Sequence, residues 1–596
     1  MDVFFVLSGY LITSIILKEM QAQKFSLVHF YERRVRRILP QLYIVMLVSV
    51  PFSWFYLLPN EMKAFSKSII AVCIFVSNIL FFQESGYFDL NTELKPLLHT
   101  WSLAVEEQFY FFFPLLLMFL MPAKKKKLFV SLIGLSLLSL LASVWLSKTS
   151  PSAAFYLIPT RAWELAIGAL AAVYLLDADK PKASKYSAQF CLLGLSMILS
   201  SIYLFDDKTP FPSYTALLPT VGTVLIVIYG QTVNLVSKIL SHPFLVQIGG
   251  ISYGVYLWHQ PLFAYARHSE ASEPAAWVFW LLIFVSIFLA YICTKYMEGP
   301  FRSKTKLSRA FVFKAAGVAS LVLIIIGLIG DKNQGFPNRL KQLEHLPKNY
   351  SELLVFTGWP KDSSGKFCEF SPANICEVTE PVEKRKSILL IGDSHSADFS
   401  TEFREYAEEE GLNAWQLSIP DCIFTKTQLE TMPDCKRGYD LILEEVQDQS
   451  FDEILFVGNY FYHTRKLEKR TRSQDIVATV SFLQALLDTG ANVTLFGARP
   501  DLDHSPVKAA FRNKLDRIHP LVVGDNVTGW NEALDSLKEY PNYSYYDQSK
   551  FLVNLSCGEM RCFNGHIPEM HPLYRDIDHL TNYGARLVFD DFVSNH

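Results

Sequence analysis

A serine in a sharp predicted turn is the first feature of this sequence that could do chemistry. The apolar run Ser387-Ile-Leu-Leu-Ile391 predicts a short buried strand, and it ends in Gly392-Asp393-Ser394-His395 ahead of a helical pattern. A serine so placed has an exposed hydroxyl, and backbone N–H groups at the helix start, including that of Ser394, can stabilise an oxyanion. Gly-Asp-Ser is also ordinary turn chemistry, so the motif alone is only moderately specific.

An Asp and a His near the other end of the chain make a catalytic interpretation stronger. Asp576 lies three residues before His579, just ahead of a predicted final helix at 580–593. With that spacing Asp576 can orient the imidazole while His579 activates Ser394, as in a serine triad. The three residues predict acyl transfer or ester hydrolysis through a serine nucleophile.

A second group of ionisable side chains lies within or beside long apolar stretches. An ionised side chain in mid-bilayer costs about 2.5–3.5 kcal/mol, so such residues are candidates for function. We interpret the group as lining a polar cavity between helices. The alternative is a set of buried ion pairs that only fix helix packing. The residues are His99, Glu106, Arg161, Glu164 and His259.

The elements that must position these residues divide near residue 331. Residues 1–330 are almost continuous apolar runs, which predicts a transmembrane domain. Residues 331–386, rich in Pro, Gly, Lys and Ser, predict a linker, and 387–596 has the composition of a soluble domain. The net charge of −3 over 596 residues argues against a nucleic-acid partner.

Cysteine usage indicates where the soluble domain resides. Six cysteines lie there without the paired spacing of a zinc site, so we expect up to three disulfides, no metal and a location outside the cytoplasm. Free buried thiols are the alternative. The six are Cys368, Cys376, Cys422, Cys435, Cys557 and Cys562.

About ten apolar stretches are long enough to span a bilayer. The positive-inside rule places the basic clusters 33–37, 124–127, 180–185 and 302–309 in the cytoplasm. Parity then requires the run 66–83 to be re-entrant or interfacial. The result is a multi-pass protein of the bacterial inner membrane with a periplasmic C-terminal domain. The marked stretches are 1–18, 41–58, 102–121, 128–147, 155–176, 188–204, 213–229, 248–266, 275–296 and 310–330.

The soluble domain is predicted to be an α/β sandwich with a parallel sheet. Strands near 387–391, 414–417, 452–457 and 493–497 alternate with helical stretches. Ligands bind beyond the carboxyl ends of the strands in such sheets, which is where Ser394 falls.

Residues 1–330 resemble the acyltransferase type 3 family. The motifs occur in order: MDVFFVLSGYLIT, YERRVRRILP, HTWSLAVEEQFY, PTRAWELAIG, ISYGVYLWHQP and MEGPFR. The resemblance implies a polytopic all-α membrane domain, with Arg34 and Arg37 engaging the phosphates of acetyl-CoA. An ordinary positive-inside anchor is the alternative role for this arginine pair.

The family usually begins with a further transmembrane helix that carries a histidine regarded as catalytic. This sequence starts with Met1 at the point where that helix would have ended. We therefore expect either a late-start gene record or a fragment. A chain that truly began here would have a catalytically dead membrane half.

Residues 387–596 resemble SGNH hydrolases through GDSH, a Gly-Asn after the third strand and the terminal DxxH. The resemblance implies Ser394 as nucleophile, His579 as base, Asp576 as the residue that orients it, and Asn459 as an oxyanion donor. The glycine expected after the second strand is not evident between Trp415 and Cys435, which weakens the assignment of the oxyanion donors.

Fusions of these two domains resemble bacterial O-acetyltransferases of surface polysaccharides. We expect transfer of acetyl from cytoplasmic acetyl-CoA across the membrane to hydroxyls of such a polysaccharide or its lipid-linked precursor. The expected partners are thus acetyl-CoA, the polysaccharide and membrane lipid. The six cysteines favour lipopolysaccharide O-antigen as acceptor, with peptidoglycan the alternative. A membrane-tethered esterase, and a transporter with a binding module, are the rival interpretations.

Overall fold

A computed structural model of the chain divides into two compact units, Met1–Phe336 and Pro337–His596. Each unit is described by itself. The residues described are 1–84, 92–120, 125–176, 186–205, 209, 211–269, 274–303, 307–342, 360–368, 375–460, 469–497, 499, 528–548, 552, 563–564, 571–573 and 579–595.

The first unit is helical throughout its described residues, as its apolar composition predicts. Its helices are α1 (Asp2–Gln21), α2 (Leu27–Tyr56), α3 (Pro59–Cys73), α4 (Ser77–Glu84), α5 (Thr100–Leu120), α6 (Lys125–Thr149), α7 (Pro151–Tyr156), α8 (Ile158–Leu175), α9 (Ser187–Leu204), α10 (Leu217–Tyr229), α11 (Leu235–Leu240), α12 (Pro243–Ser269), α13 (Ala276–Cys293), α14 (Gly299–Arg302) and α15 (Arg309–Lys332).

Seven helices in the described part of the chain are long and apolar enough to cross a membrane: α1, α2, α5, α6, α9, the run from α13 to α14, and α15. The other three predicted spans are also helical, as α8, α10 and α12, but α10 is shorter and α8 and α12 fall outside the apolar set. Large apolar side chains such as Phe119, Ile202, Trp277 and Phe284 are exposed. A lipid environment accounts for such a surface, which would be unusual in water.

Two predicted apolar runs are broken in the structure. The run 66–83 becomes α3 and α4, separated at Phe75, and neither helix is long enough to span a bilayer. The run 155–176 is interrupted at Leu157, where α7 ends and α8 begins with Pro159 in its first turn. Proline has no N–H to donate to the carbonyl of Phe155, four residues before Pro159, so a continuous helix would lack a hydrogen bond there.

Glycines let α1 and α8 approach each other closely. A Cβ at Gly9 would lie 1.9 Å from the carbonyl oxygen of Leu165, and one at Gly168 would lie 2.0 Å from that of Val6. Small residues at such contacts allow helix backbones to pack closely in membrane proteins. The MDVFFVLSGY and TRAWELAIG motifs therefore meet along one helix pair.

The second unit is built on a six-stranded sheet with the order β1-β3-β2-β4-β5-β6. The strands are β1 (Cys376–Glu377), β2 (Ser387–Gly392), β3 (Asn413–Ser418), β4 (Glu453–Val457), β5 (Asn492–Phe496) and β6 (Tyr543–Tyr546). All neighbours are parallel except β1, which pairs antiparallel with β3. A small hairpin joins β7 (Phe563–Asn564) and β8 (His571–Pro572).

Helices and apolar side chains cover this sheet. The helices are α16 (Ser394–Ala397), α17 (Ser400–Glu409), α18 (Lys426–Thr431), α19 (Pro433–Asp448), α20 (Lys469–Leu487), α21 (Thr528–Asp535) and α22 (Asn582–Asn595). The core includes Leu389, Ile391, Phe456, Phe482 and Trp530, all buried. The predicted α/β sandwich is confirmed, with one antiparallel edge strand added to the parallel sheet.

The predicted linker contributes to this unit. Strand β1 lies within 331–386, so the end of the linker is part of the sheet. Disulfides join Cys368 to Cys376 and Cys422 to Cys435. Cys557 and Cys562 lie outside the described residues, so the third expected disulfide stays a prediction.

Candidate functional site

The turn that carries Ser394 is built where β2 leaves the sheet. Strand β2 lies between β3 and β4, so the chain moves to one side of β2 and then to the other. That change of direction is the point in an open parallel sheet where ligands bind. A Cβ at Gly392, the last residue of β2, would lie 1.7 Å from the carbonyl oxygen of Val457 on β4. Only glycine permits this approach, which brings the Ser394 turn against the end of β4.

Ser394 and His579 lie within hydrogen-bond distance. The Oγ atom of Ser394 is 2.9 Å from Nε2 of His579, although the two residues are 185 positions apart. Ser394 is buried and His579 is partly exposed. A neutral imidazole at this distance can remove the hydroxyl proton as the oxygen attacks an acyl carbon.

Asn459 belongs to the same site. Its backbone N–H donates to Oδ2 of Asp393 at 2.8 Å, and its side-chain Nδ2 is 3.5 Å from Nε2 of His395. His395 in turn lies beside His579, with ring centroids 5.1 Å apart. Asn459 is buried, so its amide is held next to the Ser394 turn, where an oxyanion donor must lie.

The third member of the predicted triad, Asp576, lies outside the described residues. Its role as the orienting carboxylate therefore stays a prediction. The histidines at 463 and 566 also lie outside them. Sequence reasoning missed three buried residues next to the serine and the histidine, namely His395, Asp398 and Arg499. No local signal could have paired Asp398 with Arg499, because they are far apart in sequence.

In the membrane unit, Arg161 and Glu164 are paired with each other and with α1. The guanidinium of Arg161 is 2.8 Å from Glu164 and 2.9 Å from Asp2, and its side chain is fully buried. Aromatic rings of Phe5 and Trp101 lie 5.4 Å and 5.7 Å from the guanidinium carbon. The contacts of Arg161 with Asp2 join α1 to α8, as the packing alternative for Arg161 and Glu164 expects.

His99 and His259 form a second cluster. Their ring centroids are 5.5 Å apart, and Tyr256 lies against both rings. Nδ1 of His259 is 2.6 Å from the carbonyl oxygen of Tyr256, which can only accept, so this nitrogen carries a proton. Among the described residues, no ion pair or hydrogen bond links this cluster to the Arg161 pair, and a common polar cavity stays a prediction.

Glu106 lies on α5 one helical turn after Ser102, whose hydroxyl is 2.6 Å from that of Tyr256 in the histidine cluster. Its Oε2 accepts a hydrogen bond from the hydroxyl of Tyr110 at 3.1 Å, and that hydroxyl also contacts Ser8 on α1. Tyr110 therefore joins α5 to α1, and Glu106 accepts from its hydroxyl.

The arginines of YERRVRRILP fall into two pairs with different surroundings. Arg33 pairs with Glu19 at 2.8 Å, and buried Arg36 pairs with Glu32 at 2.9 Å and donates to two backbone carbonyls. The structure gives Arg34 and Arg37 no ion pair within the described part of the chain. Without such pairs both remain available to a charged ligand. They stand one helical turn apart on α2, so one ligand can contact both.

A cavity of about 320 Å³ adjoins Arg34. It runs between α2 and α5, and Glu107 and Gln108 supply its other polar groups. Tyr31, Phe75 and Phe111 contribute aromatic walls. An apolar channel with one free guanidinium can take a ligand that has an anionic group and a less polar chain. Within the described residues no three His, Cys, Asp or Glu side chains lie together as metal ligands would.

Comparisons with known proteins agree with this division of the chain. A family model described as an acyltransferase domain matches residues 1–295, and one described as an SGNH domain fused to AT3 domains matches 358–594. The peptidoglycan O-acetyltransferase OatA of Listeria monocytogenes is 35% identical over 388 residues, 61% of this chain and 62% of that protein. The O-acetyltransferase OatA of Staphylococcus aureus is 28% identical over 420 residues, 67% of this chain and 68% of its own. The chain thus spans less than two thirds of the Listeria relative.

Proposed function

Since the chain belongs to the acyltransferase family by residues 1–295 and matches the SGNH domain found fused to such domains by 358–594, we propose that it is a membrane O-acetyltransferase that acetylates peptidoglycan. The observation that carries the proposal is the 2.9 Å contact between Ser394 Oγ and His579 Nε2 at the carboxyl end of β2. The acceptor is supported by the name of the Listeria relative. O-antigen, which the cysteine content favoured, has no such support, so the alternative acceptor replaces it.

The proposed reaction at Ser394 has two steps. His579 accepts the hydroxyl proton as Oγ attacks the acetyl carbonyl, and the leaving group departs with that proton. An acetyl ester on Ser394 results. A sugar hydroxyl then attacks this ester, His579 takes its proton, and the serine hydroxyl is regenerated. Asn459 and the N–H of Ser394 stabilise the oxyanion in both steps, and Asp576 orients His579.

The proposed donor is acetyl-CoA, bound on the cytoplasmic side by Arg34 and Arg37. Two guanidinium groups on one helix face that make no ion pair within the described residues suit a ligand with several phosphates. The cavity beside Arg34 offers an apolar wall for the chain that carries the acetyl thioester. The membrane unit then passes the acetyl group to the other face, where the SGNH domain resides. The two described disulfides support that location outside the cytoplasm.

A membrane-tethered esterase is the rival enzyme class, because the same serine and histidine would also hydrolyse an ester. The two functions differ in their need for a donor. A transferase adds acetate only when acetyl-CoA is supplied, whereas an esterase removes acetate without it.

The test is alkali-labile acetate on purified peptidoglycan and, separately, on lipopolysaccharide from bacteria that lack their own O-acetyltransferases. The cells would express this chain, a version extended upstream to an earlier start codon, or the Ser394→Ala variant of either, at equal levels. We expect acetate to rise in peptidoglycan with an unsubstituted form and with neither Ser394→Ala variant. A rise in lipopolysaccharide alone would restore the O-antigen interpretation, and loss of existing acetate would identify an esterase.

A further inference from the structure

A buried ion pair lies directly behind the Ser394 and His579 contact. Asp398 and Arg499 have no exposed side-chain surface, and the guanidinium of Arg499 contacts Oδ2 of Asp398. Asp398 follows α16, while Arg499 lies three residues after the end of β5. The pair therefore joins two segments that leave the sheet at the same edge.

Both members also hold the backbone of residues adjacent to the reacting side chains. Nη2 of Arg499 donates to the carbonyl oxygen of His395, the residue after Ser394, at 3.0 Å. Oδ2 of Asp398 accepts the N–H of Leu580, the residue after His579, at 3.0 Å. One ion pair thus holds both the backbone beside Ser394 and the backbone beside His579, whose side chains make the 2.9 Å contact.

Packing holds the guanidinium in one orientation. Its central carbon lies 5.3 Å from the ring centroid of Phe399, so the planar group is stacked while its nitrogens reach Asp398 and His395. The fixed fork of an arginine can hold two acceptors at once, which the single ammonium of a lysine does less well.

Buried ion pairs are poor devices for stability alone. Removing two charges from water costs several kcal/mol per ion, and apolar replacements of similar volume are often neutral or stabilising. This pair contacts the residues next to both Ser394 and His579. A role in setting the distance between those two side chains explains these contacts better than a role in stability. A displacement of about 1 Å between reacting groups can cost about 100-fold in rate.

We propose that Asp398 and Arg499 are positioning residues that set the distance between Ser394 and His579, an inference that rests on the proposed roles of those two residues. They do not touch the acyl group. Their removal is expected to slow acetylation of Ser394 without weakening the binding of the acetyl donor.

The test is the burst of 4-nitrophenol released when 4-nitrophenyl acetate acetylates Ser394 in the purified full-length protein in detergent. The limiting rate and the half-saturating concentration are measured separately. For Arg499→Met we expect the limiting rate to fall about 100-fold while the half-saturating concentration changes by less than about twofold. Arg499→Lys, which keeps the charge, should recover about tenfold of that loss.

A surface pair supplies the matched control. Arg586 on α22 contacts Glu405 on α17 at 2.6 Å, and both side chains are about half exposed. It is an Arg–carboxylate pair of the same domain, but it lies at the surface and joins α17 to α22, so Arg586→Met should leave the burst within about twofold of the unsubstituted protein.

The outcomes test the positioning role of the ion pair and the proposed function of the site separately. Equal limiting rates for folded Arg499→Met and Arg586→Met would overturn the positioning role. A burst that survives Ser394→Ala would instead overturn the proposed function of the site. If Arg499→Met does not fold, the near-isosteric Asp398→Asn and Arg499→Lys decide. A limiting rate unchanged in both overturns the inference, and a loss of about tenfold or more at constant half-saturation supports it.

Discussion

The backbone N–H of Asn459 donates to Oδ2 of Asp393 at 2.8 Å, which fastens the turn after β4 to the turn that carries the nucleophile. Oδ1 of the same carboxylate accepts the N–H of His395 at 2.9 Å. One buried carboxylate therefore fixes both the backbone around Ser394 and the position of the proposed oxyanion donor.

Replacing Asp393 with Asn should damage both stability and activity. The amide of asparagine has a single acceptor oxygen, so one of the two N–H groups loses its partner and faces an NH₂ group. We expect the free energy of unfolding of the C-terminal unit to fall by about 1–3 kcal/mol. Pulse proteolysis of the full-length protein in urea measures this. The exposed Asp440→Asn is the control, and equal stability of the two variants would contradict the assigned contacts.

Gly392→Ala should be among the most damaging small substitutions in the chain. The new Cβ would lie 1.7 Å from the backbone oxygen of Val457, so β2 and β4 would have to separate. We expect a loss of about 4 kcal/mol or more, or failure to fold.

Gly411→Ala is the matched control for Gly392→Ala. Gly411 has a φ of +65°, but nothing lies within 4 Å of its Cβ position. We expect only the backbone cost of about 1–2 kcal/mol. Equal losses at the two glycines would show that close packing at Gly392 contributes nothing.

Glu402 makes the stability of the C-terminal unit depend on pH. Burial against α22 raises the pKa of its carboxyl group from 4.5 to about 7. Because the folded pKa exceeds the unfolded one, the stabilisation is fully present below pH 4.5 and is lost as pH rises through about 7.

Glu402→Gln should therefore stabilise the unit at about pH 8, by on the order of 2–3 kcal/mol, and by much less at about pH 5. Unfolding midpoints of the full-length protein at the two pH values measure this. Glu408→Gln, at an exposed position of the same helix, should show no such difference. A Glu402→Gln effect that did not change with pH would refute the assignment.

Much of the C-terminal fold was predictable because its signals are local. The predicted strand 387–391 is observed as 387–392, and 414–417 as 413–418. Apolar runs bounded by turn residues mark buried strands without reference to the rest of the chain. The edge strands β1 and β6 were not predicted, since one has two residues and the other is the partly exposed aromatic run Tyr543–Tyr546.

The site was predictable only where a motif is compact. GDSH and the terminal DxxH identified Ser394 and His579, and the structure brings these two together. Asp398 and Arg499 carry no such signal, because their pairing depends on how β2 and β5 are ordered in the sheet. The pairing of Arg161 with Asp2 likewise depends on how α1 packs against α8, which no local motif reveals.

The arginines of α2 should separate into two functional classes. Arg34→Gln and Arg37→Gln are expected to raise the acetyl-CoA concentration needed for half-maximal acetate transfer by about tenfold, with little change in thermal stability. Arg36→Gln removes one of the donors to Glu32, which keeps Arg309, and leaves two carbonyls without their donor, so it should lower the unfolding temperature instead. Titration of acetyl-CoA in proteoliposomes and thermal unfolding in detergent give the two readouts. If the acetyl-CoA concentration for half-maximal transfer rose only in Arg36→Gln, the proposed role of Arg34 and Arg37 in binding acetyl-CoA would be contradicted.

The most direct test of the account is mass spectrometry of the Ser394 peptide after the full-length protein in proteoliposomes receives acetyl-CoA without an acceptor. The account predicts the mass of one added acetyl group on Ser394, its loss when peptidoglycan fragments are supplied, and its absence in His579→Ala. Transfer of acetate to those fragments by Ser394→Ala at the unsubstituted rate would contradict the claim that Ser394 carries the acetyl group.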